Sequence, residues 1–199
     1  MDKGLLLVIC GPSGVGKGTI ISSLFKSNMN IGFSVSATTR LPREDEVEGD
    51  DYYFKSRDDF EQMIRDDAFV EWTQYCSNYY GTTKSEIDRL TAEGQDVVFD
   101  IEINGALNIK KEYPESVLVF IWPPSLEKLE ERIIGRGTES PEAIKERLKK
   151  AEIEMTYAKQ FDYIVVNDEV EEAVDKINCI IKSEKSAVKR NLSMIEDNL

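Results

Sequence analysis

The stretch LLLVICGPSGVGKGTIISSLF, Leu5 to Phe25, decides the fold. Leu5–Cys10 is an unbroken apolar run of strand length, and such a run suits a strand buried on both faces. Gly11, Pro12, Ser13, Gly14, Val15 and Gly16 follow as a glycine-rich turn, and the residues from Thr19 to Ser27 carry a helical pattern. Strand, glycine turn and helix in that order build a cradle for an anion. Glycines let successive backbone N–H groups turn toward one point. The start of the helix adds unpaired donors and the positive end of its dipole. Lys17 adds a point charge able to follow a transferred phosphoryl group.

The spacing Gly11-x-x-x-x-Gly16-Lys17 is that of a Walker A loop, with one departure. Gly18 stands where a Ser or Thr usually supplies a hydroxyl to Mg²⁺, and the hydroxyl comes one residue later, at Thr19. The alternative reading of the segment is a strand-to-helix turn that holds no ligand.

Outward from this loop, apolar runs alternate with amphipathic segments. Val97–Ile101, Val117–Trp122 and Tyr163–Val166 read as further buried strands. Helices are expected at Lys84–Glu93, closed by Gly94, near Gly105–Tyr113, from Ser125, at Pro141–Ala158 and at Val170–Ser186. Ser125 begins a Ser-x-x-Lys pattern, half of a capping box. Phe33–Ser36 suggests a short strand, and Leu41–Asp51 a polar loop. Tyr52–Phe54, Phe69–Tyr75 and Tyr79–Thr82 are aromatic and β-branched and suggest a small antiparallel sheet, with a helix at Arg57–Asp66 among them. The tail from Ala187 has no clear periodicity. Four buried strands separated by helices predict a three-layer α/β domain with a parallel sheet and a β-rich insertion at about residues 36–90.

Composition narrows the chemistry. The chain has 199 residues, 25 Lys+Arg, 38 Asp+Glu and no His. A chain without histidine has no Ser-His-Asp or Cys-His nucleophile and no HExxH zinc site. Cys10, Cys76 and Cys179 fit no metal spacing, and so sparse a set reads as reduced and cytoplasmic. The N-terminal apolar run is too short for a signal-peptide core or a membrane span. A net charge of −13 opposes bulk binding to nucleic acid or anionic membrane, yet leaves room for a local arginine cluster around a small phosphate ligand.

Such a cluster is present in SVSATTRLPREDEVEGDDYYF, Ser34 to Phe54. Arg40 and Arg43 are three apart, with Tyr52 and Tyr53 nearby. Two guanidiniums and phenol hydroxyls suit a phosphate monoester. The same residues also read as surface ion pairs within an acidic loop. Asp100 and Glu102 end a strand, where ligands collect in α/β sheets.

GPSGVGKGT, FSVSATTRLPR, EGDDYYF, FVEW, NYYGT, FDIEINGA and IIGRGTES occur here in the order found in guanylate kinases, and the chain resembles that family over roughly residues 4–185. It looks like the bacterial, stand-alone form. The resemblance implies a P-loop NTPase fold with a core at 4–35 and 95–185. It adds a mixed β/α GMP-binding insertion at about 36–90, a helical lid at about 125–158 and a tail at 186–199. It implies transfer of a phosphoryl group from ATP to GMP, and also to dGMP, with Mg²⁺ accompanying ATP.

By the same resemblance, Arg40, Arg43, Tyr52 and Tyr80 hold the GMP phosphate, Ser36, Glu71 and Thr82 hold guanine, and Asp100 lies near GMP and the metal. Read from its own surroundings, Glu71 is an ordinary strand carboxylate facing solvent. The ATP site takes Gly11 through Gly18 and Thr19, with Arg132, Arg136 and Asn167. Lys17, Arg43, Arg136 and Arg147 are the expected catalytic residues, and Thr19 and Asp100 the expected helpers of the metal through water. Glu102-Ile103-Asn104-Gly105 stands where the family usually has Asp and then x-Gln-Gly, so no role is carried to residue 102. The expected partners are ATP and GMP, without nucleic acid or membrane, and a homodimer is compatible with the sequence. The rival readings are another P-loop small-molecule kinase and a guanylate-kinase-like binding module without activity.

Overall fold

The computed structural model describes residues 4–28, 30–135 and 141–196. The first half of the chain runs β1 (Leu6–Cys10), α1 (Lys17–Ser27), β2 (Ile31–Phe33), β3 (Ala37–Thr38), β4 (Tyr53–Phe54), α2 (Arg57–Arg65), β5 (Phe69–Tyr75), β6 (Asn78–Thr83), α3 (Lys84–Ala92) and β7 (Asp96–Asp100). The second half runs α4 (Ile103–Glu112), β8 (Val117–Trp122), α5 (Leu126–Ile134), α6 (Pro141–Met155), β9 (Tyr163–Val166), α7 (Val170–Lys185) and α8 (Leu192–Glu196), with 3₁₀ turns at Thr156–Gln160 and Val188–Arg190.

Two sheets form. The larger has the strand order β2-β7-β1-β8-β9, and its β2–β7 and β8–β9 pairs are parallel. The smaller has the order β4-β3-β6-β5. Residues 1–8 and 30–117 form one compact unit, and residues 9–29 and 118–199 a second.

In the first unit, β7 is buried until Asp100, which is exposed. Asp96 accepts from Leu5 N at 2.9 Å, and Val97 N donates to Leu5 O at 2.7 Å. The smaller sheet is mixed, against the antiparallel expectation. β3 pairs antiparallel with β6 but parallel with β4, because the loop at 39–52 carries the chain back before β4 begins. Its core is aromatic: Phe60 of α2 stacks on Phe69 at 4.3 Å and on Tyr79 at 5.3 Å. Ser56 caps α2 through Asp59 N, and Thr83 caps α3 through Glu86 N.

In the second unit, α1 packs against α7. Helix α7 buries Ala173, Val174, Ile177 and Ile181, a helical stripe, and carries Glu171 and Glu172 in its first turn and Lys182 and Lys185 in its last. That distribution complements the helix dipole at both ends. Ser125 accepts from Lys128 N, so the half box does cap α5. β9 corrects the expectation of a strand buried throughout. It is an edge strand, with Ile164 and Val166 exposed and Val165 buried. Two further expectations shift. The strand expected at Phe33–Ser36 lies at Ile31–Phe33, and α1 begins at Lys17, directly after Gly16.

Candidate active site

The glycine loop lies wholly in the second unit, and its conformation explains its composition. Gly14 and Gly16 hold φ of 88° and 92°, the left-handed region that side chains resist. Gly16 is also the N-cap of α1, with no side-chain hydrogen bond at the cap. A Cβ at Gly11 would stand 2.7 Å from Ile121 O, and one at Gly16 would stand 2.6 Å from Asn167 Nδ2. The turn closes through Val15 N to Pro12 O at 3.2 Å.

Residues distant in sequence hold the loop in place. Asn167 is buried and donates from Nδ2 to Val15 O at 2.7 Å. Arg132 donates from Nη1 to the carbonyls of Val15 at 3.2 Å and Asn167 at 3.0 Å, and from Nη2 to Asp168 O at 3.3 Å. Its guanidinium therefore braces the backbone under the loop. Arg147 donates to Ser13 Oγ at 2.7 Å, and Glu154 accepts from Ser13 N at 3.1 Å. Glu154 escaped the sequence reading. The available signal was its place two helical turns after Arg147, on the same face of α6. Asn167 Oδ1 is buried and has no hydrogen-bond partner among the described residues. Gly18 and Thr19 are exposed, and Arg136 lies outside the described residues.

The first unit holds a cavity of about 370 Å³ lined by Ser36, Tyr52, Glu71, Tyr80 and Asp100, together with Trp72, Glu102, Asn104, Gly105 and Asn108. Glu71 reaches it through a local irregularity. The β5–β6 register shifts between Phe69 and Glu71, so that Phe69 faces Thr83 and Glu71 faces Thr82. A bulge of this kind re-aims the side chain that follows it. Thr82, itself buried, donates to Glu71 Oε1 from N at 3.1 Å and from Oγ1 at 2.9 Å. Thr82 thus orients the carboxylate and does not line the cavity. Burial pushes the Glu71 carboxyl above its ordinary 4.5, the two Thr82 bonds oppose this, and the charge of Glu102 adds to it. A Cβ at Gly105 would come 3.3 Å from Glu71 Oε2, so a glycine there leaves the carboxylate its room.

Arg40 stands 5.5 Å over the Tyr52 ring, donates to Leu41 O at 2.8 Å and pairs with Glu46 at 2.7 Å. Glu46 Oε2 also accepts from Arg43 N at 2.8 Å. The Arg40 hydrogen bond, followed by that of Arg43 N–H, holds the Glu46 carboxyl down to about 2. Both sequence readings of this loop meet here: Arg40 is in an ion pair, beside a residue of the cavity wall. Arg43 is exposed. Glu46, Asn104 and Asn108 were not singled out from the sequence, because acidic loop residues and polar helix faces are ordinary surface features.

A glycine loop between strand and helix, braced from behind and carrying a lysine at its helix start, defines a P-loop protein of the α/β class. The sequence pattern of guanylate kinases matches residues 3–184. A curated guanylate kinase of Caldanaerobacter subterraneus subsp. tengcongensis is 50% identical over 189 residues, 95% of this chain and 92% of its own. One of Lactococcus lactis is 46% identical over 200 residues, 98% of each chain. The crystal structure of guanylate kinase from Anaplasma phagocytophilum superposes with a TM-score of 0.73 at 30% identity, covering 96% of this chain and 90% of its own. The chain belongs to the guanylate kinase family.

Proposed function

We propose that the Glu71 cavity receives the guanine of GMP and that the glycine loop receives the phosphates of ATP. The protein is an ATP:GMP phosphotransferase, giving ADP and GDP. The observation that carries the assignment of the cavity is the Glu71 carboxylate, aimed by Thr82 into a polar cavity with Ser36 in its wall. Guanine presents N1–H and N2–H₂ side by side, and one carboxylate accepts from both. Its O6 takes a hydroxyl donor, for which Ser36 is suited. Adenine presents an acceptor at N1 and would set lone pair against lone pair. Measuring ADP release with GMP, AMP, UMP and CMP tests this reading. Equal rates with GMP and AMP would remove Glu71 from recognition.

The transfer breaks the bond from the ATP γ-phosphorus to its bridging oxygen and forms a bond to a GMP phosphate oxygen. That oxygen is already ionised, so no general base is required and the absence of histidine is no obstacle. Positioning and charge neutralisation carry the reaction. Lys17 and the loop amides neutralise the phosphates, Arg147 adds charge beside Ser13, and Arg40, Arg43, Tyr52 and Tyr80 hold the GMP phosphate. Arg136 belongs to this reading by its sequence match alone. The unpartnered Asn167 Oδ1 is an acceptor suited to the amino group of adenine.

Magnesium accompanies ATP in this reading, where it would supply positive charge against the phosphates. Among the described residues, no group of three or more His, Cys, Asp or Glu is arranged to hold a metal ion. In this reading phosphate and water would supply most of the ligands of the ion, with Thr19 and Asp100 as helpers through water. Gly18 offers a direct test, since a Cβ there meets nothing within 4 Å. Gly18→Ser should therefore fold normally and change the Mg²⁺ concentration for half-maximal rate by less than about tenfold. A larger drop in that concentration would mean that the missing hydroxyl limits metal binding in the natural chain.

The raised carboxyl of Glu71 predicts a pH dependence. An acid raised by the fold contributes stability below its unfolded value and loses it as pH rises through the folded one. Guanine needs the ionised form, so GMP binding and protonation compete. The KM for GMP is expected to rise as pH falls toward a value above 4.5. Glu71→Gln keeps the titration of the GMP phosphate and loses that of the carboxylate, so the difference between the two profiles isolates Glu71. Superimposable profiles would contradict the assignment.

Among the described residues no helix is long and apolar enough to cross a membrane. A cytoplasmic location fits the three free cysteines.

A further inference from the structure

Glu86 is a buried carboxylate outside the set of residues that touch substrate in this reading. It lies in the first turn of α3 and is 4% exposed. Its Oε2 accepts from Tyr53 OH at 3.2 Å and Arg89 Nε at 3.2 Å, and its Oε1 accepts from Arg89 Nη2 at 3.0 Å and, at a long 3.5 Å, from Val35 N. Its own N–H donates to Thr83 Oγ1 at 3.3 Å.

The three partners other than Arg89 share a property. Val35 precedes Ser36, Tyr53 follows Tyr52, and Thr83 follows Thr82. Ser36 and Tyr52 line the cavity, and Thr82 aims Glu71 into it. Backbone bonds tighten the same junction: Tyr53 N donates to Ser36 O at 2.9 Å, and Tyr53 pairs with Ala37 across β3 and β4. The carboxylate thereby grips the chain immediately beside two residues of the cavity wall, on two different segments, while the Glu86 backbone N–H bonds the neighbour of Thr82.

A buried charge is a poor source of stability, because desolvation offsets most of the attraction to its partner. Arg89, the counter-ion, is half exposed. Fixing geometry is what such a network does well, since each bond constrains a direction as well as a distance. We propose that Glu86 is a positioning residue for GMP. Its carboxylate sets the spacing of Ser36 and Tyr52 through Val35 and Tyr53, without touching the nucleotide. The inference rests on the reading of the Glu71 cavity as the GMP site.

The test is steady-state kinetics of Glu86→Gln with each substrate varied in turn. An amide puts an NH₂ group in place of one of the two oxygens, and both oxygens accept from Arg89, so in either orientation a donor faces a donor and the network must rearrange. The KM for GMP is expected to rise about tenfold, with kcat and the KM for ATP within about twofold of the parent. A purely structural role would lower the active fraction, and with it kcat, at unchanged KM. An unchanged KM for GMP, equal rises in both KM values, or a loss confined to kcat would each overturn the inference.

Tyr53→Phe provides the second reading where Glu86→Gln fails to fold. It keeps the ring that packs with Ala37, Phe60 and Phe69 and removes only the hydroxyl. A rise of about threefold in the KM for GMP supports the inference, and an unchanged KM overturns it. Glu71→Gln separates the two levels of argument. If it leaves the preference for GMP intact, the cavity reading fails. If it destroys that preference while Glu86→Gln and Tyr53→Phe leave the KM for GMP unchanged, only the role of Glu86 fails.

Discussion

Replacing Lys17 by alanine is expected to lower turnover at least ~100-fold while the protein still folds. Lys17 is the first residue of α1, at the mouth of the glycine loop. Charge builds on the transferred phosphoryl group and its leaving oxygen as the reaction proceeds, and a fixed cation there stabilises the transition state more than the ground state. The helix itself does not depend on this side chain. Ile20, Ile21 and Leu24 bury it, and alanine is a good helix former. ADP release and a thermal melt on the same preparation check both halves of the expectation. Near-parental activity would remove the glycine loop from the mechanism, and a collapsed melt would show that Lys17 holds the loop together.

The second large effect is expected from Glu71→Gln. A glutamine presents one acceptor and one donor where the carboxylate presents two acceptors. It loses the pairing with guanine N1–H and N2–H₂, and it gains one with adenine, whose N1 accepts and whose N6 donates. Sites built on buried polar matching discriminate by ~10⁴–10⁵, because the wrong ligand leaves groups unpaired. The ratio of kcat/KM for GMP to that for AMP is expected to fall at least ~100-fold, through loss of GMP rate and gain of AMP rate together. Thr82 can still donate to the amide oxygen, so the side chain stays aimed into the cavity. A variant that loses activity on GMP yet gains none on AMP would point to a wall of the cavity, rather than Glu71, as the source of discrimination.

The fold was legible wherever an apolar or aromatic run is continuous along the chain. Val117–Trp122, Tyr163–Val166 and Phe69–Tyr75 appear as strands at the bounds that their apolar or aromatic runs suggest. Long buried strands leave a continuous apolar signal, and caps such as Ser125 mark helix starts by local chemistry. Short strands leave little signal. β3 and β4 are two residues each and are defined by their partners across the sheet. The parallel pairing of β4 followed from the path of the loop at 39–52, which no local pattern encodes. Gly16 read correctly as a turn, but that its φ of 92° makes it the N-cap of α1 depends on how the turn closes.

By itself the sequence determined the glycine loop that we propose receives phosphate. Its chemistry is backbone N–H groups, glycine freedom and one lysine, all contiguous from Gly11 to Lys17, so spacing along the chain is spacing in the site. It determined as well that no histidine-based mechanism operates. Only the tertiary structure decided what aims Glu71 and what braces the loop. Alternation along Phe69, Val70 and Glu71 gives no hint of the bulge that sets Glu71 against Thr82, since the bulge exists only relative to β6. Asn167, Arg132, Arg147 and Glu154 meet the glycine loop from well over a hundred positions away. Glu86, for its part, is an acidic first-turn helix residue like any other until β4 and the segment before Ser36 fold over it. Hydrogen bonds between distant segments leave no periodicity in the chain, because each depends on the meeting of two backbones that local propensity places independently.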